Sequence, residues 1–449
     1  MGFLDKIISY IPEVKPPTQK KLSFNAKLKW TGVVLALYFL LGLIPLYGLA
    51  ENVLADFVFL STVLGAQFGS LITLGIGPIV TASIILQLLK GSGILNIDLS
   101  KQEGKRRFQG LQKLLAIIFV VVEAFVFVLL GGLVPEVGVS PLILVAQISL
   151  GGFFIILMDD LISKYGFGSG VSLFIAAGVS QQIFIQLFNP LDTLGLWEGT
   201  PTGAIPLILM GLFSDSVSLG EVALPFARVI ATVVVFFFVV YVQAMKVEIP
   251  LSFGRVSGHG IRWPLNFLYA NVLPIILVSA LLANLQILAN LLQNRGQEAL
   301  ANVVAWTTAP LFMESLIAND LSWIIIAQAL TYVLVYVIGA TVFSVFWVQT
   351  SGLDASSQAK QMVSSGLQIP GFRRDPRVLE RLLKRYIGPL TIMGGITIGL
   401  LASVADLTQA IGTGTGILLA VMIIYKLYED IAKQHLYDMN PMMRKFISF

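Results

Sequence analysis

The chain has 449 residues, 56% of them hydrophobic and only 12% charged, with a mean hydropathy of +0.86. Soluble domains carry about 25% charged residues, so water is excluded as the main solvent of this surface. The absence of cysteine excludes disulfides and thiol chemistry, and the net charge of +4 says less than where the basic residues fall.

Residues 1–29 are polar and basic, and Phe3, Ile7, Ile8 and Ile11 share one helical face. That pattern predicts an interfacial amphipathic helix ended by Pro12. The first apolar run, Trp30–Leu46, and its polar leader are both too long for a cleaved signal peptide, despite Gly48 and Ala50 beyond it. Further runs occupy Leu111–Leu133, Leu142–Ile162, Val171–Phe188, Val229–Met245, Phe267–Leu292, Leu321–Val348, Ile387–Val404 and Ala410–Leu427. Each approaches the ~20 residues that cross hydrocarbon. They are too long and uniformly apolar for barrel strands, so they are helices, whose backbone groups find partners internally. With the interrupted region Phe57–Leu89 they predict ten crossings.

If residues 1–29 face the cytoplasm, all 29 basic residues except Arg228 and Arg295 fall on inside segments. The positive-inside rule then places both termini in the cytoplasm, in a multi-pass protein of the cell membrane. Five crossings precede the proline-rich stretch 189–228 and five follow it. An odd number per half inverts the second half relative to the first. No residue-level repeat is legible, so the inversion rests on counting spans. The expected organisation is a cytoplasmic segment 1–29, a first half 30–188, an external connector 189–228, a second half 229–429 and a cytoplasmic tail 430–449. The second half carries basic cytoplasmic loops at 246–266 and 349–386. Those loops serve either orientation alone or a polyanionic partner such as RNA or anionic lipid.

The region Phe57–Leu89 is broken at Gly65–Ser70 and again at Gly75-Ile76-Gly77-Pro78. A helix of about ten residues covers only about 15 Å, half the hydrocarbon core. One reading is a glycine-kinked helix. The preferred one is a short re-entrant helix from outside, followed by a half-helix running to the cytoplasm. Glycine clusters at 166–170 and 412–416 open the fifth and tenth spans. No Lys-Ser/Thr follows and no strand precedes them, so they signal close backbone packing and not a phosphate loop.

Catalytic inventory is thin. His259 and His435 are the only histidines, both in cytoplasmic segments, and Asp159-Asp160 lies at a solvated helix end beside Lys164. No enzyme, metal or cofactor site can be assembled. Glu123 lies well inside the third span, where an ionised carboxylate costs roughly 2.5–3.5 kcal/mol on insertion scales, so it must face protein or water. Thr81 and Asn284 are the nearest matching polar residues in kind, and an interhelical hydrogen-bond cluster explains a lone carboxylate better than a transport site.

The run Gly69–Thr81 resembles the second-span motif of SecY, the large subunit of the Sec protein-conducting channel. So do Ser163–Gly170, Gly371-Phe372-Arg373 and Gly414–Leu419, while Ile11–Val14 and Leu28–Gly32 are similar to the archaeal branch. The resemblance implies an all-α fold of ten transmembrane helices, in two inverted five-helix halves around an hourglass pore. It implies that residues 56–70, with Asp56, Phe57, Leu60, Leu64 and Phe68, form a half-length plug helix. It implies a constriction ring of Ile76, Val80, Val171, Ile175, Ile276 and Leu419, residues that composition alone could not select. It also implies a lateral gate containing Thr81, Glu123 and Asn284, and ribosome docking through Arg255, Arg373 and Arg374. Implied partners are a single-span gamma subunit of SecE type, a small beta subunit, the translating ribosome, nascent polypeptides and membrane lipid.

The leading function is a passive channel that passes unfolded polypeptides outward and releases hydrophobic segments sideways. The alternative is a secondary transporter, which requires a specific solute site at the midplane where a channel requires a non-specific apolar constriction. A scaffold for cytoplasmic partners would leave the broken span unexplained.

Overall fold

The structure is a computed structural model and describes residues 11–18, 22–52, 64–95, 97, 102–191, 200–213, 219–253, 260–293, 298–364, 367–368 and 376–439. Helix α1 (Phe24–Gly42) starts at Ser23, whose hydroxyl accepts the Ala26 N–H at 3.4 Å. A short strand β1 (Leu49–Asn52) follows, and the chain returns at Leu64 in a series of turns that leads into α2 (Gly77–Gly91). Pro78 opens α2, where its missing N–H costs nothing. Helix α3 (Gln102–Leu129) leads to β2 (Leu133–Pro135), antiparallel to β1, and then to α4 (Pro141–Tyr165) and α5 (Gly170–Phe188).

The remaining elements are α6 (Ala204–Phe213), α7 (Leu219–Ala244), strands β3 (Lys246–Phe253) and β4 (Gly260–Asn266), α8 (Leu273–Gln293), α9 (Glu298–Ala305), α10 (Phe312–Ile317), α11 (Trp323–Thr350), α12 (Ala355–Ser364), β5 (Leu367–Gln368), α13 (Pro376–Leu407) and α14 (Gly414–Met439). Among the described residues, α1, α3, α4, α5, α7, α8, α11 and α13 are long and apolar enough to cross a bilayer. Helix α2 is shorter, and α14 has an apolar first half but carries Lys426, Glu429 and Asp430 further on.

Several expected boundaries move. Helix α7 begins at Leu219, with Pro225 inside it, so the stretch expected to connect the halves up to residue 228 is partly helical; it also contains α6. The 246–266 loop is a β-hairpin, with Lys246 opposite Asn266 and Ser252 opposite Gly260. Within 349–386 lie α12 and β5, and α13 already begins at Pro376. Arg377, Arg381, Lys384 and Arg385 are therefore on a helix and not on a projecting loop. Helix α14 runs past residue 430 to Met439. For α13 and α14 the physical reason is that hydropathy marks only the oily stretch of a helix, whose polar extension keeps the same backbone bonds in water.

Glycines bring helices close. On α13, a Cβ at Gly395 would lie 2.8 Å from Thr341 Cα and one at Gly399 2.7 Å from Val337 Cα, so α13 and α11 meet backbone to backbone. A large apolar core joins α1–α5 to α7, α8, α11, α13 and α14. A second cluster, with Ile249, Leu265, Val348, Met362, Leu379 and Leu383, packs the hairpin on α11, α12 and α13.

Candidate pore, clasp and gate

The broken second span is held by backbone hydrogen bonds that a continuous helix would have made within itself. Ile76 N–H donates to the Leu64 carbonyl at 2.8 Å, Leu46 N–H to Gly69 at 3.0 Å, and Leu71 N–H to Ile44 at 2.9 Å. The Tyr38 hydroxyl donates to the Gly65 carbonyl at 2.9 Å while its ring stacks on Phe174 at 4.9 Å. Thr73 donates to the Ser70 carbonyl at 2.5 Å and accepts the Gly69 N–H at 3.2 Å. Gly75 has φ +52°, and a Cβ there would run into the Leu64 carbonyl oxygen. Residues 64–76 are thus turns, clasped by α1 and α5. This meets the requirement that irregular backbone at membrane depth be buried in protein or line a cavity.

The helix expected over 56–70 meets this clasp only in part. Asp56, Phe57 and Leu60 lie outside the described residues, and Leu64–Ser70 are turns and not helix. Leu64 is buried, and Phe68 is half-buried with its ring 6.4 Å from that of Phe127.

Helix α2 rises from the clasp. Ile76 and Val80 are buried there, as are Ile175 on α5, Ile276 on α8 and Leu419 on α14; all belong to the main core, and Val171 packs against it half-buried. Beside them a recess is lined by Ser169, Ser172 and Leu173 of the α5 start, Asn271 and Leu273 at the α8 start, and Ile423 and Lys426 of α14.

On another face of α2 the three polar residues come together. Asn284 Nδ2 donates to Thr81 Oγ1 at 3.0 Å, and Thr81 Oγ1 donates to Glu123 Oε1 at 3.0 Å. The chain links α8, α2 and α3, with Thr81 acting as acceptor and donor at once. Gly77 leaves room for the carboxylate, since a Cβ there would be 3.2 Å from Glu123 Oε2. Helix α2 also packs along α8 and α11, and a Cβ at Gly91 would lie 2.7 Å from the Phe346 ring.

Arg255, Arg373 and Arg374 lie outside the described residues, but the strands leading to them do not. Ser252 pairs with Gln368 and Phe253 with Leu367, so β5 joins the hairpin in one sheet of order β4-β3-β5. Tyr269, at the base of this sheet, donates to the Leu353 carbonyl at 2.7 Å, and burial pushes its hydroxyl pKa up.

Sequence reasoning missed Asp406 and read Asp159 only as part of a solvated helix end. Asp406 is buried at the end of α13 and accepts the Thr415 N–H at 2.7 Å, the Tyr332 hydroxyl at 2.7 Å and the Thr415 hydroxyl. Asp159 accepts the Val171 N–H at 3.0 Å, so the Asp159-Asp160 pair is more than a solvated end. Asp160 does behave as expected, pairing with Lys113 at 3.0 Å and Lys164 at 3.2 Å. The glycine clusters on either side of these contacts were the available signal. Among the described residues no group of three metal-ligating side chains forms.

These features define a polytopic helical membrane protein built around a broken, clasped helix. A SecY family profile matches residues 70–428. The protein translocase subunit SecY of Methanothermobacter thermautotrophicus is 46% identical over 457 aligned residues, 99% of this chain and 98% of that one. A SecY structure described as showing that the plug domain stabilises the closed state of the translocation channel and maintains a membrane seal superposes with a TM-score of 0.81 at 39% identity, covering 97% of each chain. Sec61 in the canine ribosome–channel complex from the endoplasmic reticulum gives a TM-score of 0.80 at 37% identity, again over 97% of each. The chain belongs to the SecY family.

Proposed function

We propose that this chain is the pore-forming subunit of a protein translocation channel, passing unfolded secretory polypeptides across the membrane and releasing hydrophobic segments sideways into lipid. It is a passive conduit and not an enzyme. The observation that carries this reading is the clasped short helix α2, which turns one face to the apolar core and another to a polar seam with α8. A helix rooted at depth and held by few polar bonds is a wall that can move without unfolding the bundle.

In this reading the chain crosses ten times, α2 and α14 completing the count, as two inverted halves with both termini cytoplasmic. Ile76, Val80, Val171, Ile175, Ile276 and Leu419 form the constriction, and residues 56–70 plug it from outside. Thr81, Glu123 and Asn284 latch the lateral gate. The sheet β4-β3-β5 supports it further, because it ties the strands before Arg255 and before Arg373-Arg374 into one surface. That surface docks the ribosome, a partner in keeping with the similarity to Sec61 in the canine ribosome–channel complex. A single-span gamma subunit and a small beta subunit complete the assembly.

An apolar ring blocks ions by dewetting and offers a passing chain no fixed hydrogen bonds. Replacing Ile76, Ile175 and Leu419 together by Gly is expected to make the idle channel leak ions in planar bilayers. Deleting residues 56–70 gives smaller or intermittent leakage. A triple variant as tight as the parent would remove these residues from the seal.

A further inference from the structure

The starts of α5 and α14 are built alike except at the second residue, where Thr413 has φ +66° and Ser169 φ −114°. Gly168-Ser169-Gly170-Val171 opens one and Gly412-Thr413-Gly414-Thr415 the other. Gly168 and Gly412 both have positive φ, +71° and +75°. The Ser169 hydroxyl accepts the Ser172 N–H at 3.3 Å, and the Thr413 hydroxyl accepts the Gly416 N–H at 3.1 Å. Gly170 and Gly414 both sit against the backbone of the preceding helix: a Cβ on Gly170 would be 2.5 Å from Asp159 Cα, and one on Gly414 would overlap Ala405 and Asp406. In each case an aspartate of that preceding helix accepts the N–H of the second helical residue, Asp159 from Val171 and Asp406 from Thr415.

One turn beyond those two amides, about 6 Å along the axis, stand Ile175 and Leu419. The two helices run antiparallel. The α14 start meets α5 near its end, where Gly412 N–H donates to Gln186 Oε1 at 2.8 Å. The α5 start meets α14 at mid-length, where a Cβ on Gly168 would lie 3.9 Å from Leu427. These contacts are in register and bring Ile175 and Leu419 to the same level.

We infer that Asp159 and Asp406 are a matched pair of positioning residues, which fix the axial depth of α5 and α14 and so bring Ile175 and Leu419 together across the pore. The inference rests on the constriction ring proposed above. A carboxylate is suited to the task because charge-assisted acceptance of helix-terminal N–H groups is roughly twice as strong as a neutral bond. The two staples also give the molecule a residue-level repeat, one copy at the last helix of each half.

The test uses the intact membrane-embedded complex, and the lack of native cysteine makes Ile175→Cys with Leu419→Cys a clean disulfide reporter. Asp159→Ala and Asp406→Ala are each expected to slow disulfide formation several-fold in correctly assembled channels. Asp159→Asn, which keeps an oxygen for Val171, restores it; Asp406→Asn restores it only partly, because one oxygen facing the Tyr332 and Thr415 hydroxyls becomes a donor. Gly170→Ala shifts α5 with its carboxylate intact, and serves if an aspartate variant fails to assemble: it too should slow the reporter. Unchanged disulfide rates in assembled Asp→Ala or Gly170→Ala channels overturn the inference. Idle conductance separates it from the ring reading: slowed disulfides with the ring triple variant still tight refute the seal and leave the positioning role standing.

Discussion

At the scale of single residues, the polar seam is the point where chemistry decides behaviour. Thr81 joins Glu123 to Asn284 across three helices. Hydrogen bonds between membrane helices average about 0.6 kcal/mol, so losing the Asn284 bond should shift a closed–open balance about threefold. Asn284→Leu and Thr81→Val are each expected to lower the hydrophobicity a test segment needs for lateral release. The double variant should do little more than Thr81→Val alone, which already removes the Asn284 bond together with the bond to Glu123; additive effects would mean that the seam is not a shared latch. Sequence reasoning could single out Glu123, since a carboxylate inside an apolar run is conspicuous. Thr81 lies 42 residues from Glu123 and 203 from Asn284, so the sequence could offer them as matching polar groups in kind, and family resemblance placed them together. The ring residues were no more legible, as they are aliphatic side chains among many. Asp406 stayed hidden because it sits where a span ends, and a carboxylate there reads as solvated.

Among elements, the broken span was plain from Gly75-Ile76-Gly77-Pro78, and the structure starts α2 at Gly77. The strands were legible too but went unread: Val247 and Ile249 alternate with Lys246 and Glu248, and Trp263 and Leu265 with Arg262 and Pro264, with the apolar set turned inward. The glycine seam between α13 and α11 gives a prediction of its own. Gly395→Leu or Gly399→Leu forces a side chain into the α11 backbone, and overpacking of this kind costs about 1–3 kcal/mol. Each should lower the thermal midpoint of the detergent-solubilised protein. Gly32→Ala and Gly388→Ala, where a Cβ meets nothing within 4 Å, should leave it unchanged or raise it. Equal effects at all four positions would show that the seam is not close-packed. The three-stranded sheet carries a second prediction. Arg255→Glu and Arg373→Glu should weaken ribosome binding, Arg374→Glu should add to the loss, and affinity should fall as salt rises through counterion release. Affinity independent of salt and of these charge reversals would remove the sheet from the docking surface.

For the whole molecule, two demands conflict. A conduit wide enough for an extended chain must hold ions back when empty. The fold answers with a core that is continuous from α1 to α14 and contains a short helix, α2, of 15 residues. Span counting captured the long apolar helices from the sequence, because bilayer thickness sets helix length. The matched α5 and α14 starts, a residue-level likeness between the two proposed halves, show only in the structure.

The most direct measurement is crosslinking of a ribosome-stalled secretory chain to single cysteines, which the cysteine-free sequence allows without background. Cysteines at Ile76, Ile175 and Leu419 should each capture a hydrophilic stretch of the stalled chain. Cysteines at Leu40, Val234 and Ile338, exposed on the outer faces of their helices at 57%, 59% and 60%, should not. A stalled chain that reacts at the outer positions and passes by the three core positions would contradict the account.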